Sequence, residues 1–138
     1  MITGLNHVSI AVPDLDAAIK HLEATFGLTA GEVKVNERER VRVVWFDLGN
    51  AKIELTQPLG ADSPLAKFLE RNPVGGLHHF CLDVDNAAQS ANDLKSAGVR
   101  VLGTPSPNVN GDPIVFLHPK DFLGALVELE QHPKEQVP

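Results

Sequence analysis

The chain says the same thing twice, and any fold proposed for it has to honour that. Leu5-Asn6-His7-Val8-Ser9-Ile10-Ala11-Val12 returns as Leu77-His78-His79-Phe80-Cys81-Leu82-Asp83-Val84. Ile53-Glu54-Leu55-Thr56-Gln57 returns as Val127-Glu128-Leu129-Glu130-Gln131. The repeat runs 72 residues from His7 to His79 and 74 from Glu54 to Glu128, so the register drifts by only two positions. Each half thus brings one His near its start and one Glu near its end.

The periodicity between these segments predicts the same elements in each half. Residues 5–12 and 78–84 alternate apolar with polar, which is the period of a strand. Leu15, Ile19, Leu22 and Phe26 follow Pro13-Asp14 at helical spacing, so 15–26 is an amphipathic helix capped by Asp14 and closed by Gly27. Its counterpart is 86–97, ending at Gly98, with Ala87, Ala91, Leu94 and Ala97 inward. A weak strand at 31–37 and a hairpin of 41–48 with 51–57 complete the first half. Strands at 99–102, 113–118 and 124–130 complete the second, and a short helix after Ser63-Pro64 joins the two. The expected fold class is α+β: tandem βαβββ repeats forming paired curved mixed sheets around a metal-bearing cleft, with the helices outside.

Length and composition set the frame. At 138 residues the chain has enough material for one core. The expectation is a single domain over 1–132, with half-repeats of about 4–60 and 76–132, and a polar tail, 133–138, that frays. Net charge of −6 argues against a nucleic-acid partner, and no apolar run reaches the ~20 residues of a membrane span. The lone Cys81 excludes an intrachain disulfide framework and, with no apolar leader at the N-terminus, points to the cytoplasm.

Strand parity locates the chemistry. His7, Glu54, His79 and Glu128 each lie opposite the apolar residues that pack on the helices, and so share the inward face. Two His and two Glu are the nitrogen and oxygen donors of one divalent ion, with room for substrate oxygens; Co, Mn, Ni and Zn all suit such a set. Singly, any of the four reads as a polar residue on a half-wet sheet; the repetition is what argues for ligation. His78 has the wrong parity and aligns with Asn6. Glu130 shares the parity of Glu128, and only the match to Glu54 favours Glu128. Cys81 shares the face but reads as packing, and His21 and His132 read as surface.

At this point the residues resemble the vicinal oxygen chelate superfamily. Three stretches are similar to methylmalonyl-CoA epimerases: 6–15, 75–85, and the closing Phe116-Leu117-His118-Pro119-Lys120-Asp121-Phe122-Leu123-Gly124-Ala125-Leu126-Val127-Glu128-Leu129-Glu130-Gln131. The segment 58–69 is also typical, so the resemblance covers about residues 4–131. It implies epimerisation of methylmalonyl-CoA by α-proton abstraction through a metal-stabilised enolate. His7, Glu54, His79 and Glu128 match the metal positions, with Co2+ the leading ion. Glu128 also matches a proton-transferring residue. The resemblance further implies an acyl-CoA substrate and a homodimer.

The chain departs from the pattern in two places. Some relatives carry a second catalytic Glu where this sequence has Val43, which leaves the second proton carrier unassigned. Lys20-His21 replaces a Phe-Tyr pair in the first helix. Lys120, in a loop next to a ligand-bearing strand, is the candidate partner for the substrate carboxylate or a coenzyme A phosphate. Competing readings are a glyoxalase-like isomerase or lyase acting on a thiol adduct, an extradiol dioxygenase with iron, and a metal-free small-molecule binding protein of the same fold. The closing segment disfavours the first, a fourth ligand at Glu54 the second, and retention of all four donors the third.

Overall fold

A computed structural model describes residues 1–132; the tail expected to fray, 133–138, lies outside the described residues. The elements are β1 (Ile2–Ala11), α1 (Leu15–Phe26), β2 (Lys34–Asn36), β3 (Val41–Asp47), β4 (Lys52–Pro58), α2 (Pro64–Arg71), β5 (Gly76–Val84), α3 (Ala87–Ser96), β6 (Val101–Pro107), β7 (Pro113–Leu117), a 3-10 turn (Pro119–Asp121) and β8 (Val127–Gln131). The order is βαβββ, α, βαβββ, as the repetition requires, and the strands run β2-β3-β4-β1-β5-β8-β7-β6. This is the α+β class expected, with parallel and antiparallel pairs mixed.

The chain divides into two compact units. The first is His7–His78. In it β4 runs parallel to β1, and β3 runs antiparallel to β4. Its core is Val12, Leu15, Val44, Phe46 and Leu55, with Ile19 and Leu22 of α1 packed against it. The second unit joins Met1–Asn6 to the chain from His79 onward. There β8 runs parallel to β5 and β7 antiparallel to β8. Val84, Ala87, Ala91, Val115, Leu117, Val127 and Leu129 form its core. A parallel pair needs a crossover, and the helix supplies it in each repeat.

The last residue of the repeated closing motif has the same task in both units. The first N–H groups of a helix have no partner within it. Gln57 Oε1 accepts from the Leu15 N–H at 2.7 Å, and Gln131 Oε1 accepts from the Ala87 N–H at 3.0 Å. Asp14 and Asn86 cap the next turn by accepting from Ala17 and Gln89. The strand that carries each key glutamate is thereby tied to the helix of its own repeat. Gly75 sets the entry to β5: its φ is +98°, and a Cβ there would meet the Ala11 carbonyl oxygen at 2.7 Å.

Several expected details are corrected. Phe26 is 68% exposed, because Gly27 turns left-handed and Leu28 takes the packing position. Ala97 is exposed as the C-cap of α3. The strand expected at 31–37 forms only over Lys34–Asn36. The last strand starts at Val127 and not at 124, since Leu123 and Gly124 both take positive φ. β6 is longer than 99–102 and carries a register shift between Leu102 and Ser106. No helix of the described residues is long and apolar enough to cross a membrane.

Candidate functional site

In the first unit, strand register puts Glu54 opposite Ser9 on β1 and opposite Trp45 on β3. All three side chains point to the face that also carries His7. His7 Nε2 lies 3.5 Å from Glu54 Oε2. Ser9 Oγ donates to Glu54 Oε1 at 2.8 Å, and the indole Nε1–H of Trp45 donates to Glu54 Oε2 at 2.8 Å.

The second unit repeats the arrangement with different neighbours. Glu128 stands opposite Cys81 on β5 and opposite Phe116 on β7. His79 Nε2 lies 3.3 Å from Glu128 Oε2, and the His79 ring meets Phe116 edge-on at 5.4 Å. Burial, then the charges of Glu128 and Glu130, push the Cys81 thiol far up, so it stays protonated. It is fully buried in the packing of its unit.

Burial decides between a wet sheet face and a built site. His7 is 2% exposed, Glu54 7%, His79 7% and Glu128 6%. A buried carboxylate is costly without a compensating positive partner. Both His–Glu separations exceed the ~2.7–3.2 Å of an N–H···O hydrogen bond. Two ligands about 2.1 Å from one ion and roughly 90–110° apart stand about 3.0–3.4 Å from each other. Each half, taken by itself, therefore holds an imidazole nitrogen and a carboxylate oxygen at close to ligand-to-ligand spacing, with donor types that suit a borderline divalent ion.

The rival residues have close neighbours of their own. Glu130 accepts from Asn6 Nδ2 at 2.6 Å, from His132 Nε2 at 2.7 Å and from Asn108 Nδ2. Burial raises its carboxyl above the ordinary value, and the His132 contact opposes that rise. Asn6 also donates to Asp83 at 2.9 Å. Glu130 thus belongs to a polar network that the parity argument could not see. His132, read as surface, is half-exposed and bonded to that network. His78 packs edge-on against Phe68.

Lys120 is exposed, on the 3-10 turn. The turn is held firmly. His118 Nδ1 accepts from the Lys120 N–H at 3.1 Å, and Arg100 grips Asp121 with a bidentate pair at 2.7 and 3.0 Å. That grip holds the Asp121 carboxyl well below the usual carboxylate range. Val43 is buried on β3, and its side chain has no proton to give. Sequence reasoning gave Ser9 and Trp45 no role. The signal was present for Ser9, which shares the face of His7 two residues on.

Residues 6–116 match the family described as the glyoxalase/bleomycin resistance protein/dioxygenase superfamily. The ethylmalonyl-CoA/methylmalonyl-CoA epimerase of Cereibacter sphaeroides is 50% identical over 133 residues, covering 95% of this chain and 99% of that protein. The crystal structure of methylmalonyl-CoA epimerase from Mycobacterium tuberculosis superposes with a TM-score of 0.88 at 34% identity, over 96% of this chain and 91% of that one. A methylmalonyl-CoA epimerase solved with methylmalonyl-CoA and NH4+ superposes with a TM-score of 0.89 at 34% identity, over 100% of both chains.

Proposed function

The chain belongs to the glyoxalase/bleomycin resistance protein/dioxygenase superfamily and within it to the methylmalonyl-CoA epimerases, and on that premise we propose that it interconverts (2R)- and (2S)-methylmalonyl-CoA with one divalent metal ion bound. The observation that carries the metal reading is the buried His–Glu pair formed independently in each half. The proposed ligands are His7, Glu54, His79 and Glu128, of which His7, His79 and Glu128 are buried donors suited to a metal ion. When bound, the ion supplies Lewis-acid stabilisation of the negative charge that an enolate places on oxygen.

The chain's own residues handle the proton. Glu128 takes the α-proton from one face of the substrate, and return to the other face inverts the centre. Val43 leaves the carrier on that second face to a group other than position 43. The site's burial excludes water and strengthens each charge interaction. Lys120, presented from its braced turn, is the proposed partner of an anionic group of the substrate. Lys120→Ala is expected to raise KM about fivefold, the equivalent of about 1 kcal/mol for an exposed charge contact, with kcat little changed. If both constants stay at the wild-type values, Lys120 has no such role. Cobalt as the ion and a homodimer accompany this reading as family expectations, and a cytoplasmic setting as the expectation from the lone cysteine.

Proton exchange in deuterated water tests the whole proposal. The α-hydrogen of methylmalonyl-CoA is followed by NMR with protein of known metal content, with added Co(II) and with chelator. Exchange with inversion that chelation abolishes and Co(II) restores is the expected result. Full exchange in metal-free protein would end the metal requirement alone. No exchange in metal-loaded protein would end the epimerase reading and favour isomerase chemistry on a thiol adduct.

A further inference from the structure

The two halves deliver the same glutamate into different company, and two positions in register differ. Around Glu54 they are Ser9 and Trp45; around Glu128 they are Cys81 and Phe116. A serine hydroxyl and an indole N–H are strong donors, whereas a thiol is a weak one and a phenyl ring has none. Ser9 and Trp45 bind different oxygens of Glu54, each at 2.8 Å. A carboxylate held at both oxygens has its plane and rotation fixed. Outer hydrogen bonds of this kind orient a ligand and set metal affinity. We propose that Ser9 and Trp45 are positioning residues that lock Glu54 as a fixed ligand, one that takes no part in moving the proton. Nothing in the superfamily assignment gives either residue this task. The inference rests on the metal reading above.

The surrounding packing supports a positional role. Ser9 is fully buried, where a hydroxyl needs a partner, and it donates to Glu54. Trp45 is only half-buried, so its indole is not there chiefly to fill the core. Its N–H is aimed across the strand pair at the carboxylate.

Titration of the metal-free chain with Co(II), followed through the visible d–d absorption, tests this without any turnover. Ser9→Ala and Trp45→Phe are each expected to weaken Co(II) binding about 10–100-fold and to alter the d–d spectrum. At saturating Co(II), kcat is expected to return to within about tenfold of wild type, since the proton carriers are untouched. Trp45→Phe keeps an aromatic ring at a half-buried position, so it answers the question even if Ser9→Ala fails to fold. Binding within twofold of wild type and an unchanged spectrum in a folded variant would overturn the clamp. A loss in kcat at saturating Co(II) larger than the loss in affinity would overturn it too, by making Glu54 a proton carrier. A wild-type chain that takes up no Co(II) would instead overturn the metal reading on which the clamp depends.

Discussion

Glu128→Gln is expected to lower kcat by about 10²–10⁴-fold, the usual worth of a positioned general base, with KM changed far less. The substitution keeps the shape and one oxygen donor while removing the capacity to accept a proton. Two neighbouring groups in the same unit are otherwise engaged. Glu130, two residues on, already accepts from Asn6, Asn108 and His132. Cys81 is held protonated by burial and by the nearby carboxylates. α-Proton exchange into deuterated solvent is the direct readout, with metal content measured on the same sample. A variant that retains its metal and turns over within threefold of wild type would remove Glu128 from proton transfer.

His79→Ala is expected to abolish stoichiometric metal binding, an effect larger than the roughly 10–100-fold that loss of an outer partner costs. The imidazole stands 3.3 Å from Glu128 and edge-on to Phe116, so its removal takes away a donor and opens a void against the ring. A ligand that binds only the folded state stabilises it by about 2.7 kcal/mol at a hundred times Kd. Thermal unfolding of the wild-type chain should therefore shift upward on adding Co(II), and the shift should vanish in His79→Ala. His78→Ala, one residue away with opposite parity, should keep it. Equal metal-induced shifts in all three proteins would rule out His79 as a ligand.

What could be read from the sequence was what repeats or alternates locally. The spacing of Leu15, Ile19 and Leu22 placed α1, and the parity of His7, Glu54, His79 and Glu128 put all four on strand faces that prove buried. Local pattern failed where a distant residue decides. Glu128 and Glu130 look alike along β8, and what distinguishes them is Asn6, 124 residues from Glu130, with Asn108 22 residues away. Trp45 read as strand hydrophobicity because its N–H partner lies on the next strand. β6 runs on past the expected end at 102, through Gly103, Pro105 and Pro107. On the outermost strand of the order, with a bulge beside them, they are tolerated.

The division of β1 between the two units has a consequence for assembly. The unit His7–His78 is contiguous in sequence. The other unit needs Met1–Asn6 and the chain from His79 onward together, and the bond from Asn6 to Glu130 spans 124 residues. At roughly 5–20 residues per second of synthesis, the leading segment of β1 waits about 6–25 s for those partners. During that time it is an open strand edge, able to pair with another chain. A cut between the repeats therefore parts Met1–Asn6 from the residues it packs with.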